Sequence, residues 1–272
     1  MFLLCICALP GCGSLKLESS RRDSEIIIDG KYSDWGKTEA YYDEKEKLVV
    51  NLCNDQDYLY ICLISRNRKV ETQLMESGFV AWFDPDGGKN KSFGIRFPIG
   101  LKSMGMSITE NEKKSREYRG EGDIEDPAGR ENDRWTDKEF AKKLETLEGL
   151  QEKIEIIRTP PQDITKRRGG QRKDFIKDKG MELSLEEAAK LGIEAKMGHQ
   201  NGYFVYELKV PLIKSVEHPQ AVELRTDKTI GLGFEVQKPM MMDRGMGDPV
   251  PQGGGSNEMP ERFQLWAMVS LS

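Results

Sequence analysis

The stretch LVVNLCNDQDYLYICLI, residues 48–64, decides the fold class. Two runs rich in β-branched and aromatic residues flank NDQD, a four-residue segment of turn formers, and this pattern predicts an antiparallel β-hairpin. If Cys53 pairs with Tyr58, one face of the hairpin is wholly apolar and the other is mixed. The predicted apolar face consists of Val50, Leu52, Leu59, Ile61 and Leu63.

This register separates the two cysteines of the hairpin, Cys53 and Cys62, by four positions, or about 13 Å along a strand. A disulfide needs Cα atoms within about 7 Å of each other. We therefore expect both thiols to be free. The other cysteines, Cys5, Cys7 and Cys12, all fall near the start of the chain, so no disulfide framework is predicted.

Outside the hairpin, short apolar or alternating runs bounded by turn signals recur along the chain. They are GFVAWFD (78–84), SFGIRFPI (92–99), the hairpin IEAKMGHQNGYFVYELKVPL (193–212), TIGLGFEVQ (229–237) and RFQLWAMVSLS (262–272). One short helix, SLEEAAKLG (184–192), begins with a capping box formed by Ser184 and Glu187. Many short strands without a βαβ rhythm predict an all-β fold, an antiparallel β-sandwich of the jelly-roll type.

Residues 109–179 differ from the rest in being dense in charge and poor in large apolar side chains. We predict that they form a charged, partly helical insertion in a single sandwich domain that spans residues 25–272. Within this insertion, Thr136 and Glu139 form a capping box that predicts one amphipathic helix. The segment KIEIIR (153–158) has the composition of a strand.

The N-terminal residues 1–12, MFLLCICALPGC, contain a short apolar run that ends in LPGC and resemble a bacterial lipoprotein signal. In this interpretation residues 1–11 are a signal peptide, Cys12 carries the lipid and residues 12–24 form a polar tether. The expected location is the cell envelope, and the outer membrane in a diderm bacterium, because Gly13 rather than Asp follows the cysteine. The alternative is a buried N-terminal strand with a chance cysteine.

The composition excludes several classes of function. A net charge of -5 argues against nucleic acid as a partner, since such proteins carry a basic excess. The chain has only two histidines, His199 and His218, which excludes a His-rich metal site. No nucleophile-elbow, zinc-protease or phosphate-loop motif occurs. We therefore expect a noncatalytic protein.

The order of the segments resembles that of the family 9 carbohydrate-binding modules and their wider relatives, the DOMON-like superfamily. The matching segments are Asp29-Gly30 with Trp35, the hairpin 48–64, FVAWFDPDG (79–87), ELKVP (207–211) and FQLWAMVSL (263–271). The resemblance covers about residues 25–100 and 193–272. It implies a β-sandwich that binds sugars, or haem as in other members of the superfamily, and it leaves the charged insertion outside.

The four tryptophans divide into two pairs. Trp35 belongs to the motif of the fold and Trp82 lies in an apolar strand, so we expect both in the core. Trp135 and Trp266 are the candidate ligand-binding residues, because the C–H face of a sugar ring stacks on an exposed aromatic face. Trp135 has the alternative role of packing at the start of the helix that begins at Thr136.

The turn DPDGGKN (84–90) places Asp84, Asp86 and Asn90 close together, and oxygen ligands at such spacing can hold Ca²⁺. The same residue types are expected in any hairpin loop. We favour the loop and keep Ca²⁺ as the one possible cofactor. The Met-rich segment 240–246 is interpreted as a loop that packs adaptively rather than as a copper or haem site.

These observations favour a noncatalytic binding module for carbohydrate, attached to the cell envelope through Cys12. The first alternative is a structural or assembly lipoprotein that binds another envelope protein, with residues 109–179 as its contact surface. The second alternative is a haem-binding redox domain.

Overall fold

The computed structural model describes residues 15–36, 38–104, 149, 151–159, 180–225, 228–237 and 262–272. The strands, in chain order, are β1 Leu15–Glu18, β2 Ser20–Arg21, β3 Ala40–Asp43, β4 Leu48–Asn54, β5 Tyr58–Ser65, β6 Phe79–Asp84, β7 Phe93–Arg96, β8 Lys153–Arg158, β9 Met181–Ser184, β10 Glu194–Gln200, β11 Tyr203–Pro211, β12 Thr229–Val236 and β13 Gln264–Ser270. The helices are α1 Arg68–Ser77 and α2 Leu185–Lys190, with 3₁₀ turns at Ser33–Trp35 and Leu101–Met104. None of the described helices is long and apolar enough to cross a bilayer.

The strands form two sheets that pack face to face. The seven-stranded sheet has the order β1-β13-β12-β6-β7-β8-β9, and the six-stranded sheet has the order β10-β11-β5-β4-β2 with β3 also paired to β4. The inner faces of both sheets supply one apolar core, because alternate residues of each strand point inward. The prediction of an all-β sandwich is confirmed.

The strands β4 and β5 form the predicted hairpin, but the predicted register is wrong by two residues. Cys53 pairs with Tyr60 rather than with Tyr58. The carboxylate of Asp55 accepts hydrogen bonds from the backbone N–H groups of Asp57 and Tyr58, which forms a tight turn directly after β4. A shift of two keeps every side chain on the same face, so the predicted apolar face is confirmed.

The corrected register also changes the distance between the cysteines of the hairpin. Cys53 pairs with Tyr60, and Cys62 pairs with Asn51. The two cysteines are therefore offset by two positions along the strands, whereas the predicted register offset them by four. Both thiols are free, as predicted, and both are buried. Burial raises the pKa of Cys53 to about 12, so its thiol stays protonated and unreactive.

Two segments predicted to lie apart from the sandwich are strands of it. Residues 15–21 of the predicted tether form β1 and β2, which pair in parallel with β13 and β4, so the chain crosses between the two sheets near Ser19. Residues 153–158 of the predicted insertion form β8, which pairs with β7 and buries Ile154 and Ile156 in the core. Residues 1–14 and the helix predicted from Thr136 lie outside the described residues.

The helix α1 lies in a region where only strands were predicted. The side chain of Asn67 caps its start by accepting a hydrogen bond from the N–H of Lys69. Val70 and Leu74, one turn apart, are buried in the core. Gly78 ends the helix with a φ of 83°, a conformation that favours glycine.

The other predicted elements agree with the structure. Helix α2 begins with the capping box of Ser184 and Glu187. Strands β10 and β11 form the second hairpin, whose turn residues Asn201 and Gly202 have φ angles of 54° and 78°. Strands β6, β7, β12 and β13 occupy the remaining predicted segments.

The stretch IIIDGKYSDW (26–35) covers the outer face of the six-stranded sheet. Its residues Ile26 and Trp35 are buried there in a second apolar cluster. The sheet contributes Cys53, Tyr60, Cys62 and Val205 to this cluster. The prediction that Trp35 is buried is therefore confirmed, but Trp35 lies outside the sandwich rather than between its sheets.

A single carboxylate holds this stretch in place. Glu207 of β11 is fully buried, and its Oε1 accepts a hydrogen bond of 2.7 Å from the indole N–H of Trp35. Its Oε2 accepts hydrogen bonds from the backbone N–H groups of Gly30, at 2.6 Å, and Asp29, at 2.9 Å. Gly30 has a φ of 82°, and a Cβ there would lie 2.6 Å from the carbonyl oxygen of Met197. Only glycine fits this approach.

Two opposing effects act on the pKa of Glu207. Burial raises it and the hydrogen bonds from Trp35 and Gly30 lower it, and the net result is a pKa of about 7. The charge of Asp29 adds to the increase. Because every donor at the Glu207 oxygens belongs to the stretch 26–35, we assign this carboxylate a structural role.

We expect Glu207 and Trp35 to be coupled energetically. Glu207→Gln turns one acceptor oxygen into an N–H₂ group that must face a donor, either the indole N–H or the backbone N–H groups at Asp29 and Gly30, and Trp35→Phe leaves Oε1 without its donor, so each should reduce the free energy of unfolding by about 1–3 kcal/mol. The double variant should lose less than the sum, because the glutamine N–H₂ can then face the position that the indole N–H has left while the amide oxygen accepts from the backbone. Urea unfolding measures all four proteins. As a control, Trp35→Phe is combined with Glu182→Gln on strand β9, and the two losses of unfolding free energy should add. If the losses of Trp35→Phe and Glu207→Gln also add, the two residues are not coupled.

The raised pKa of Glu207 predicts a pH-dependent stability. Folding moves this pKa from 4.5 to about 7, so between these values the folded state binds the proton more tightly than the unfolded state. Relative to Glu207→Gln, the free energy of unfolding of the native protein should therefore decrease as the pH rises from about 4.5 to about 7 and stay constant above that range. Unfolding both proteins at several pH values measures the difference, and a difference independent of pH would exclude the raised pKa.

Candidate functional site

A row of five residues crosses the outer face of the seven-stranded sheet. Strand pairing places Ile157 opposite Gly94, Gly94 opposite Trp82, Trp82 opposite Gly233, and Gly233 opposite Trp266. The row therefore runs perpendicular to β8, β7, β6, β12 and β13, and two tryptophans alternate with two glycines. No predicted segment by itself contains this arrangement.

The glycines of the row make room for the indole rings. A Cβ on Gly94 would lie 2.6 Å from the ring of Trp82, and a Cβ on Gly233 would lie 2.5 Å from the ring of Trp266. Each ring therefore lies over the glycine of the neighbouring strand. Both rings are displaced in the same direction, from β6 towards β7 and from β13 towards β12. Larger residues at either position would push the rings off the sheet.

The two tryptophans differ in exposure. Trp82 is 8 % exposed and packs with Val80 and Ile157, whereas Trp266 is half-buried and packs at the margin of this cluster. Trp82 is thus buried as expected, but it lies on the outer face of the sheet and not in the core between the sheets. Trp266 lies on the same face, and its role as a ligand-binding residue stays a prediction.

A cleft of about 230 Å³ lies beside Trp82. It is lined by Val80, Trp82, Lys91, Glu235 and Gln237. The ammonium group of Lys91 lies 5.6 Å from the centroid of the Trp82 ring and forms an ion pair with Glu235. The side chains of Lys91 and Glu235 are 42 % and 25 % exposed, so solvent reaches the ion pair.

The lining of the cleft combines two kinds of surface. Trp82 and Val80, which are both buried, form its apolar floor, while Lys91, Glu235 and Gln237 provide an ammonium group, a carboxylate and an amide. A cavity of this kind suits a small ligand with an apolar face and polar edges. The composition of the cleft thus favours binding of an amphipathic ring.

The turn predicted to hold calcium is organised by its own backbone. The two carboxylate oxygens of Asp84 accept hydrogen bonds from the N–H groups of Asp86, at 3.1 Å, and Asn90, at 2.8 Å. The carboxylate of Asp86 pairs with Arg225 at 2.5 Å. Within the described ranges, no group of three or more His, Cys, Asp or Glu side chains could hold a metal ion. These contacts are those of a hairpin loop, and the calcium site stays a prediction.

The remaining candidate residues fall into two groups. Trp135 and the Met-rich segment 240–246 lie outside the described residues. The two histidines lie far apart in the fold: His199 is on β10, and the Nε2 of His218 lies 2.6 Å from the hydroxyl of Tyr58. The structure therefore does not bring the histidines together into one site.

Sequence reasoning missed Gly94, Gly233, Lys91 and Glu235. A signal was available, since a glycine inside a strand pattern often marks a position where another group approaches closely. The identity of the approaching group could not be read, because Gly233 and Trp266 come together only through the pairing of β12 with β13.

The chain is similar to a solved structure of another protein. No protein-family profile matches the chain, and no curated protein matches it. A family 9 carbohydrate-binding module from Caldicellulosiruptor kristjanssonii in complex with glucose is similar at 10% sequence identity and a TM-score of 0.34. The similarity covers 82% of this chain and 78% of that chain.

Proposed function

We propose that the protein is a noncatalytic binding module for carbohydrate, and that one sugar ring occupies the cleft beside Trp82. The observation that carries this proposal is the lining of the cleft, where an indole ring lies next to an ammonium group, a carboxylate and an amide. Sugars are amphipathic rings with C–H groups on their faces and hydroxyls around their edges. The cleft offers a partner for each of these surfaces.

The polar side chains of the cleft match the needs of sugar hydroxyls. Lys91 can only donate hydrogen bonds, the carboxylate of Glu235 accepts them, and the amide of Gln237 does both. In the unliganded state Lys91 and Glu235 satisfy each other. A solvent-exposed ion pair contributes only about 0–1 kcal/mol, so a ligand can separate the two groups at little cost and bind both.

The aromatic contact supplies the apolar part of the binding energy. Trp82 is held against the sheet over Gly94, so its ring is already fixed before a ligand arrives. A fixed aromatic side chain loses little conformational entropy on binding. Lys91 lies across the ring, and its flexible side chain must move aside when a sugar stacks there.

We expect Trp82→Ala to weaken sugar binding at least tenfold, because it removes the aromatic surface of the cleft; tenfold corresponds to about 1.4 kcal/mol. A glycan array followed by calorimetry on the sugars that bind measures the change. Tyr42→Ala is the matched control, since Tyr42 is an aromatic residue that is 50 % exposed on β3 of the other sheet.

The control should bind as the native protein does, and near-ultraviolet circular dichroism should confirm that both variants are folded. Absence of binding to every glycan on the array would contradict the proposal. Equal affinity of the native protein and a folded Trp82→Ala variant would show that the sugar binds elsewhere.

Attachment to the cell envelope through Cys12 is a second part of the proposal. The apolar run that ends in LPGC supports it. Because β1 begins at Leu15, three residues after Cys12, the lipid would hold the sandwich within about 10 Å of the membrane surface. The binding module would then lie against the envelope rather than at the end of a long tether.

Cys12→Ser should abolish incorporation of labelled fatty acid and release the protein from the membrane fraction of a bacterial host, because the thiol that receives the lipid is lost. Cys7→Ser, which changes a cysteine of the same apolar run, is the control and should be labelled normally. Equal labelling of the two variants would exclude Cys12 as the anchor.

A further inference from the structure

We infer that the end of the sandwich that helix α1 closes is a docking surface for an anionic phospholipid membrane. This surface, the α1 end, consists of α1, residues 66 and 67 before it and the turn 44–47 beside it. The inference rests on the proposed lipid at Cys12 and adds which part of the folded domain faces the membrane. It gives a role to the cations of this end, which neither the core nor the cleft beside Trp82 uses.

The path of the chain places the proposed lipid towards the α1 end. Strand β1 runs parallel to β13, and Leu15 pairs with Ala267. The start of β13 lies beside α1, because the side-chain oxygen of Gln73 accepts a hydrogen bond of 3.1 Å from the backbone N–H of Phe263. Strand β1 therefore runs away from the α1 end. A lipid on Cys12, three residues before β1, would bring this end of the sandwich closest to the membrane.

The exposed charges of α1 are positive. Three cations and no acidic residue occur in the stretch RNRK that leads into the helix. Two of these cations, Arg66 and Lys69, are exposed. The two carboxylates of the helix, Glu71 and Glu76, are instead buried, at 3 % and 7 % exposure. The helix thus presents cations to solvent and turns its acidic side chains inward.

The charge differs between the two ends of the hairpin β4–β5. At the α1 end, Asn67 joins the stretch RNRK to the turn 44–47, since its Nδ2 donates a hydrogen bond of 3.0 Å to the carbonyl oxygen of Glu46. Residues 43–47 contain three acidic residues and two lysines, so the three cations of RNRK leave a positive excess. The turn at the other end carries Asp55 and Asp57 and no cation. An anionic surface therefore attracts the α1 end more strongly than the opposite end.

Tyrosines lie at the rim of the α1 end. The guanidinium of Arg66 lies 4.5 Å from the ring centroid of Tyr203, the first residue of β11. Tyr42, near the end of β3, is 50 % exposed. Tyrosine is enriched at membrane–water interfaces, because its ring is apolar and its hydroxyl is polar. The rim therefore suits the level of the lipid headgroups.

This orientation keeps the cleft beside Trp82 accessible. The α1 end lies at the ends of the strands, whereas the cleft lies on the outer face of the seven-stranded sheet. With α1 against the membrane, the strands point away from it, and the membrane covers neither outer face of the sandwich. A domain that lay on its seven-stranded sheet would have its cleft blocked.

Cosedimentation with phospholipid vesicles tests the inference. The full-length Cys12→Ser protein, which has no thiol to receive a lipid, is the parent for this test. It is mixed with vesicles of phosphatidylcholine alone, or of phosphatidylcholine and phosphatidylglycerol in equal parts. The apolar run 1–12 is the same in every variant, so changes in the ratio of the two affinities report the charged surface. We expect the anionic vesicles to bind about tenfold more tightly or better at low salt, and the ratio to fall as salt rises.

Charge reversals at the two ends of the sandwich locate the surface. Arg66→Glu combined with Lys69→Glu should reduce the ratio to about one, because two attractions become repulsions. Lys69→Glu alone should reduce the ratio by a smaller factor and keeps the helix, since a carboxylate in the first turn is favourable. Lys89→Glu combined with Lys214→Glu is the matched control. It makes the same change in net charge on exposed residues at the opposite end, and it should keep the parent ratio.

The outcomes separate this inference from the proposed function. No preference of the parent for anionic vesicles, or the parent ratio in a folded variant with both Arg66 and Lys69 reversed, would overturn the inference. Equal losses in the two double variants would also overturn it, because they report net charge alone. Sugar binding and fatty-acid labelling of Cys12 are measured separately, so either can fail without the other. A ratio that only the reversals at the α1 end lower would support the docking surface.

Discussion

The hydrogen bonds at the buried carboxylate of Glu207 determine how the outside of the six-stranded sheet is covered. This carboxylate accepts one bond from Trp35 and two from the backbone at Asp29 and Gly30, so a single side chain fixes both ends of the stretch 29–35. Burying a charge is expensive unless donors surround it. The donors come from one segment, which is thereby bound to β11, and β11 lies between β10 and β5 in the sheet.

The tryptophans on the two outer faces of the sandwich have different surroundings. Trp35 is buried at 3 % exposure, and its indole N–H is occupied by Glu207. Trp82 is also buried, at 8 % exposure, but it lies over Gly94 of the neighbouring strand and packs with Val80 and Ile157. Trp35 is therefore fixed by a hydrogen bond to a buried carboxylate, whereas Trp82 is fixed by packing and borders the cleft lined by Lys91, Glu235 and Gln237.

Local patterns predicted the strands well where both the alternation and the turn chemistry were visible. The two faces of the 48–64 hairpin were predicted correctly although its register was not, because a shift of two residues leaves each side chain on the same face. The observed register includes Asn54 in β4, paired with Leu59. This pairing requires the tight turn in which Asp55 accepts a hydrogen bond from the N–H of Tyr58. Helix α1 was missed because its cap, Asn67, stands between two strongly β-like runs. The strand β8 was assigned to the insertion because the segments on both sides of it are rich in charged residues, although its own isoleucines have the pattern of a strand.

The sequence by itself determined the class of fold and the apolar face of the 48–64 hairpin, because these follow from periodicity two and from turn residues. Only the tertiary structure decided where the tryptophans lie. Trp82, Gly233 and Trp266 are far apart in the chain and form one row only because β12 lies between β6 and β13. Strand order is set by packing across the whole sandwich, and no local pattern encodes it.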